Sequence, residues 1–258
     1  MQPVLFSIAG VQVYAYGLLI GIGAVLAWYY LESQGKKEAG LSATQSNLLF
    51  AIIILAAVVG GKVFLLLESA NNLKIEAMMS GHGFVFYGSF LFVVPVVLLF
   101  FTFNKLPVYT MLDILSVSAC IVHCLGRLGC FMAGCCYGKP TNSNWGVVFN
   151  NLQTMARPLH TSLYPVQLME SVYILLILIV LLVIKKKYQR FNGQLFLLYI
   201  ALYAAGRSVL ELYRGDEDRG FWFSQSISNA QLIALLIITT AVVLYIRKIT
   251  SLRRLQQY

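Results

Sequence analysis

Residues 47–67 read NLLFAIIILAAVVGGKVFLLL, and this stretch decides the class of the fold. It is almost wholly apolar and as long as the ~20 residues that a helix needs to cross the hydrocarbon of a bilayer. Across the chain of 258 residues, 59% are hydrophobic and 11% are charged, whereas roughly a quarter are charged in an average soluble domain. Most of the chain therefore lies in lipid, and we expect a single membrane domain over residues 1–258.

Further apolar stretches of similar length lie along the chain, so the sequence predicts an all-α membrane protein of about seven transmembrane helices. The predicted spans are Val13–Leu31, Asn47–Leu67, Phe84–Phe103, Val108–Leu125, Pro165–Ile184, Gln194–Tyr213 and Asn229–Ile246. The fourth span is predicted to be shorter and more polar than the others, because Asp113, Ser116 and His123 lie along it.

The net charge of +9 does not indicate a nucleic-acid partner, because the basic residues cluster at the ends of apolar runs. Such clusters set topology, since short loops rich in Lys and Arg stay in the cytoplasm. With the N-terminus outside, the inner segments hold eleven basic residues: Lys36, Lys37, Lys105, Lys185, Lys186, Lys187, Arg190, Arg247, Lys248, Arg253 and Arg254. The outer segments then hold six: Lys74, Arg127, Lys139, Arg157, Arg214 and Arg219. The sequence therefore predicts an outside N-terminus and a cytoplasmic C-terminus.

Several ionisable side chains fall within the predicted spans, where a charge is costly and is usually kept for a function. They are Lys62, Asp113, Glu170, Arg207 and Glu211. Arg207 and Glu211 are four residues apart, so they share one helix face and can form an ion pair. The pair either neutralises itself inside the bundle or lines a polar cavity for an anionic lipid head group. Arginine suits the second role because its planar guanidinium group can donate two parallel hydrogen bonds to phosphate oxygens.

The stretch GRLGCFMAGCCYG, residues 126–138, has four glycines in thirteen residues. Irregular backbone at membrane depth is stable only where it is buried in protein or lines a cavity. We therefore expect this stretch to form a turn at such a cavity, where its glycines let backbone N–H groups approach a ligand. Arg127 would add a positive charge at the same place.

Short motifs are spread across the predicted spans in a fixed order. They are VYAYG at 13–17, FYGS at 86–89, LD at 112–113, GRLG at 126–129, YPVQLME at 164–170, LYAAGRSVLELYRGD at 202–216, and Gln231. This order resembles the bacterial prolipoprotein diacylglyceryl transferase family along nearly the whole chain. The resemblance implies transfer of a diacylglyceryl group from phosphatidylglycerol to the lipobox cysteine thiol in the signal peptide of a prolipoprotein. The expected location is the bacterial cytoplasmic membrane, in contact with membrane lipid.

The resemblance also implies site residues. Arg127 matches the arginine of the family signature, and Arg207 and Glu211 match residues proposed to act at the reacting centre. Tyr87 stands where many members have an essential histidine and others have tyrosine. The expected catalytic residues are thus Arg127, Arg207, Glu211 and Tyr87. The expected substrate-binding residues are Tyr16, Gly88, Gly129, Cys130, Gly138, Gln167 and Glu170; no metal and no cofactor are expected.

The chain departs from the family pattern mainly by its cysteines. Cys130 stands where the signature usually has asparagine, and Cys135 stands where it has glutamate. All five cysteines lie within seventeen residues: Cys120, Cys124, Cys130, Cys135 and Cys136. Three explanations stay open: a disulfide from Cys130 to Cys135 or Cys136, a metal site that includes His123, and small apolar packing residues.

Other interpretations of the residues also stay open. His82 and His160 are most simply interfacial residues, whereas His123 either bonds to backbone or acts as a base. A related membrane transferase with another acceptor would also fit the buried charges, and so would a non-enzymatic lipid binder or transporter. The sequence lacks the repeated halves that many transporters have, which weakens the last interpretation.

Reporter fusions test the predicted orientation. Fusions at Lys186 and after Tyr258 should both report the cytoplasm, because the basic clusters at both places are retained inside. Alkaline phosphatase and a fluorescent protein, which are active on opposite sides of the membrane, provide the readout. A periplasmic signal at either position would contradict the orientation and move the predicted site to the other leaflet.

Overall fold

Helices make up most of the computed structural model, which describes residues 2–8, 11–68, 86–215, 221–222 and 227–255. The helices in these residues are α1 (Ala15–Ala39), α2 (Ala43–Glu68), α3 (Phe86–Phe103), α4 (Val108–Ala133), α5 (Val166–Lys187), α6 (Gln194–Leu210) and α7 (Asn229–Leu255). Six of the described helices are long and apolar enough to cross a membrane, and α3 is the shorter one. The chain is therefore an all-α membrane protein, while the count of seven spans and the orientation stay predictions.

Short antiparallel strand pairs precede or connect the helices. The pairs are β1 (Val4–Ile8) with β2 (Val11–Tyr14), β3 (Val147–Val148) with β4 (Ser162–Leu163), and β5 (Phe221–Trp222) with β6 (Ile227–Ser228). The first pair leads directly into α1, and the second lies between α4 and α5. A single 3-10 turn, Glu211–Tyr213, continues α6.

Two predictions about the fourth span were wrong. We expected it to be short, but α4 is 26 residues long. We also expected a turn over residues 126–138, whereas α4 continues to Ala133 and the turn starts at Gly134, whose φ is +75°. The glycines of α4 serve close packing rather than a turn, since a Cβ at Gly129 would lie 3.0 Å from the Tyr16 ring.

The chain forms two compact units. The first comprises residues 1–27 and 115–258, and the second comprises residues 28–114. In the first unit α6 packs against both α5 and α7, and in the second α2 packs along α3. The single domain expected from the sequence stays a prediction.

Backbone hydrogen bonds join the segments that follow α4 and α6 in the first unit. Lys139 N donates to Tyr213 O at 2.8 Å, and Gly215 N donates to Tyr137 O at 3.2 Å. Gly138 N donates to Tyr164 O at 3.0 Å, just before α5. Together these bonds hold the polar ends of α4, α5 and α6 to one another.

Two glycines set the close approach of α2 and α3 in the second unit. A Cβ at Gly60 would meet the backbone oxygen of Gly88, and a Cβ at Gly88 would meet that of Gly60. Beside them, Ser89 Oγ donates to Ala57 O at 2.8 Å. Small residues of this kind let membrane helices approach closely enough for backbone and hydroxyl contacts.

Alanine at Gly60 tests this contact. We expect Gly60→Ala to lower the free energy of unfolding by about 1–3 kcal/mol, the usual cost of overpacking. The measurement is the melting temperature of the purified protein in detergent. Gly21→Ala is the matched control, because no described atom lies within 4 Å of a Cβ at Gly21. Equal melting temperatures for the two variants would show that α2 and α3 can separate at no cost.

Candidate functional site

Charged side chains from α4 and α5 meet inside the first unit. Glu170 of α5 is only 3% exposed, and its Oε2 lies 3.0 Å from Nε of Arg127 on α4. Its Oε1 lies 3.4 Å from Nε2 of His123, one turn earlier on α4. His123 and Arg127 are four residues apart, so one helix face presents both to the carboxylate. Glu170 therefore anchors both groups.

Helix α6 contributes a tyrosine to the same cluster. Tyr203 Oη donates to Glu170 Oε1 at 3.5 Å, and its ring packs edge-on against His123 with 5.1 Å between ring centres. Tyr203 was not among the site residues predicted from the sequence. The sequence feature that could have identified Tyr203 is its position four residues before Arg207, which places both residues on one face of α6.

The predicted ion pair of α6 is confirmed. Arg207 Nη1 donates to Glu211 Oε2, and the two side chains are 18% and 4% exposed. Glu170 and Tyr203 each interact electrostatically with both Arg127 and Arg207. The structure thus brings the signature arginine of α4 and the ion pair of α6 into one polar network.

Three cysteines cluster where α4 ends. The sulfur atoms of Cys130, Cys135 and Cys136 all lie within 4.8 Å of one another. The chain reverses here through left-handed conformations, with φ of +75° at Gly134 and +56° at Cys136. Cys135 N donates to Cys130 O at 3.1 Å, which closes the turn. All five cysteines of the chain are unbridged thiols in the structure.

The charge of this cluster depends on its neighbours. The pKa of the Cys136 thiol is lowered, because hydrogen bonds from the thiols of Cys130 and Cys135 stabilise its thiolate. Burial opposes this effect, and the positive charges of Arg127 and Arg214 reinforce it. The thiol cluster therefore shares its electrostatic environment with the signature arginine.

The two remaining cysteines lie elsewhere on α4 and fit the packing explanation. Cys120 is fully buried. Cys124 Sγ is 3.3 Å from Ser171 Oγ, and Ser171 Oγ donates to the Cys124 backbone oxygen at 3.0 Å. These contacts fix α4 against α5 beside the polar network, since Cys124 follows His123 and Ser171 follows Glu170.

Most of the predicted binding residues lie in the same unit as the network. Tyr16 packs on Gly129 and interacts electrostatically with Arg127 and the clustered thiols. Gln167 is fully buried, and its Nε2 donates to Cys135 O at 2.7 Å. Gly138 lies against Tyr164, whose backbone oxygen a Cβ would approach to 2.5 Å.

Two of the site residues predicted from the sequence belong to the second unit. Gly88 is buried in the contact between α2 and α3 described above. Tyr87 lies in the first turn of the same helix, and its side chain lies outside what the structure describes. Their predicted roles in binding and catalysis stay predictions.

Apolar helices around a buried network of arginine and glutamate define a multi-span membrane protein with a polar site. The chain belongs to the prolipoprotein diacylglyceryl transferase family, whose model matches residues 3–247. The family predicted from the sequence motifs is therefore confirmed.

Curated relatives agree with this assignment over nearly their full length. The chain is 32% identical over 248 residues to the phosphatidylglycerol–prolipoprotein diacylglyceryl transferase of Clostridium tetani strain Massachusetts / E88, with 95% of this chain and 97% of the relative covered. It is 29% identical over 251 residues to the protein of that name from Dehalococcoides mccartyi strain ATCC BAA-2100 / JCM 16839 / KCTC 5957 / BAV1, with 96% and 94% covered.

The carboxylate of Glu170 is the part of the network whose loss we expect to matter most for stability. Glu170→Gln removes the negative charge beside buried Arg127, and breaking such a pair costs about 3–5 kcal/mol in soluble proteins. We expect a clearly lower melting temperature in detergent. Glu32→Gln makes the same change on α1 and should leave the melting temperature nearly unchanged. Equal effects at both positions would contradict an anchoring role for Glu170.

Proposed function

We propose that this protein transfers the diacylglyceryl group of phosphatidylglycerol to the thiol of the lipobox cysteine in a prolipoprotein signal peptide. Membership of the transferase family supports the reaction class. The observation that carries the site is the buried network in which Glu170 pairs with Arg127 and interacts electrostatically with Arg207, the partner of Glu211. Such a network is expensive in a membrane, and a reaction that releases a phosphate explains why the chain keeps it.

The proposed chemistry is alkylation of a thiolate. The sulfur forms a bond to a glycerol carbon of the lipid, and the bond from that carbon to the phosphate oxygen breaks. Glycerol phosphate leaves with the electron pair, and the thiol proton passes to a base. The reaction therefore needs a cation at the departing phosphate and a proton acceptor near the thiol.

We assign these tasks to the charged residues of the network. Arg127 binds the phosphate, held by Glu170 through Nε, the inner nitrogen of its guanidinium group. Arg207 stabilises the departing phosphate, and Glu211 assists removal of the thiol proton. Tyr87 is proposed as the remaining catalytic residue by resemblance to the family.

The proposed substrate-binding residues follow from the same resemblance. They are Tyr16, Gly88, Gly129, Cys130, Gly138, Gln167 and Glu170. Phosphatidylglycerol would enter sideways from the membrane, since both it and the acceptor signal peptide are partly embedded in lipid.

The proposed setting is the cytoplasmic membrane of a bacterium. Seven spans, with α3 as the third, would put the two termini on opposite sides of the membrane, and we propose that the N-terminus is outside. The excess of Lys and Arg in the segments that would then be inside supports this orientation. The site would face the outer leaflet, where precursor proteins emerge during export.

Complementation of a bacterial strain depleted of its own prolipoprotein diacylglyceryl transferase tests the function. The wild-type chain should restore growth and lipid labelling of a reporter lipoprotein. Arg207→Met with Glu211→Leu should insert normally and stay thermally stable, because no unpaired charge remains. It should nevertheless transfer no lipid, since no group is left to stabilise the phosphate or accept the proton.

A second double variant is the matched control for this experiment. Ala205→Met with Val209→Leu makes comparable apolar changes four residues apart on the exposed face of α6, and it should complement fully. Transfer by the Arg207→Met, Glu211→Leu protein would reduce that pair to a structural role. Failure of the wild-type chain to label the reporter, with the protein inserted, would contradict the proposed acceptor.

A further inference from the structure

We propose that Cys130, Cys135 and Cys136 form a binding site for a thiophilic d¹⁰ cation, Zn²⁺, with their three thiolates as protein ligands. This inference goes beyond the proposed function, because metal binding is measured without lipid or acceptor. It differs from the absence of a metal that the family resemblance implies, and it takes up the metal-site explanation of the cysteines with a different set of ligands.

The distances between the sulfur atoms fit such a site. Zinc binds thiolate sulfur at about 2.3 Å in a tetrahedron, which puts two sulfur ligands about 3.8 Å apart. The three sulfur atoms already lie within 4.8 Å of one another. Rotation of the side chains about their Cα–Cβ bonds would bring the sulfur atoms to the separation that zinc requires and would leave the backbone in place.

The backbone holds these thiols together before any metal binds. Gly134 is in the left-handed region, and a Cβ there would lie 2.8 Å from the Thr154 side chain. Cys136 is also left-handed, a conformation that glycine or asparagine adopts more readily. These two left-handed residues shape the turn that brings the three sulfur atoms together.

The charge around the cluster also suits bound metal. Three thiolates and one Zn²⁺ leave a net negative charge. Arg127 and Arg214 both interact electrostatically with Cys136, and their positive charges would offset it. Burying a net charge is costly, so this positive charge would stabilise a partly buried anionic metal centre.

A buried oxygen next to the cluster points to an additional ligand. Gln167 is fully buried and donates through Nε2 to Cys135 O, and its Oε1 has no hydrogen-bond partner among the residues that the structure describes. Zinc sites with three protein ligands keep a water at the fourth position. A metal-bound water would supply the donor that this oxygen lacks.

Cadmium binding to the full-length protein tests the proposal. The protein is purified in detergent with a phosphine reductant, stripped with a chelator, and titrated with Cd²⁺, whose thiolate complexes absorb in the ultraviolet. We expect a single equivalent of Cd²⁺ to produce the charge-transfer band and Zn²⁺ to displace it. Serine at Cys130, Cys135 or Cys136 should weaken binding by more than roughly tenfold, since losing even an outer partner of a metal ligand costs that much.

The chain offers its own matched controls. Cys120→Ser and Cys124→Ser change thiols outside the cluster and should bind Cd²⁺ as the wild type does. A second measurement needs only the wild-type protein, so it stays informative if the serine variants fail to fold. Bound Zn²⁺ should protect Cys130, Cys135 and Cys136 from modification by maleimide. Mass spectrometry measures the modification of each cysteine. Absence of the band, equal loss in the Cys124→Ser protein, or unprotected cysteines would overturn the site.

Discussion

A charge inside a membrane must be paired, and the pairing of Glu170 organises the centre of this protein. Its carboxylate contacts His123 and Arg127 of α4 and receives a hydrogen bond from Tyr203 of α6. Lipid tails provide little driving force for helices to associate, because they are as apolar as the helix surfaces. Polar contacts of this kind therefore hold specific helices at a specific rotation. The same contacts that stabilise the bundle present two arginines to one place.

Close helix packing is the second condition for this network. Glycine at position 129 allows Tyr16 of α1 to lie directly on α4, and Gly206 of α6 lies against the ring of Tyr173 on α5. Tyr173 Oη then donates to Leu202 O at 2.7 Å, so the close approach also satisfies a polar group. Larger residues at these positions would separate the helices and lengthen every ion pair between them. The glycines and the charges are thus parts of one arrangement.

The sequence predicted the features that depend on neighbouring residues. Hydropathy located every described helix, and the spacing of Arg207 and Glu211 predicted their ion pair. Hydropathy misplaced the end of α4, because glycines buried against other helices look the same in sequence as glycines in a turn. The partners of Glu170 could not be predicted, since His123 and Tyr203 are distant from it along the chain and only the packing of α4, α5 and α6 brings them together.

The backbone hydrogen bonds that join the ends of α4, α5 and α6 have a consequence for how this family can vary. The bonds of Gly138, Lys139 and Gly215 use main-chain atoms, so they do not depend on which side chains occupy the turn beside them. The side chains of the turn can therefore differ without releasing Glu211 from its place. The main-chain framework beside the three thiols would hold the ends of α4, α5 and α6 together whatever those side chains bind.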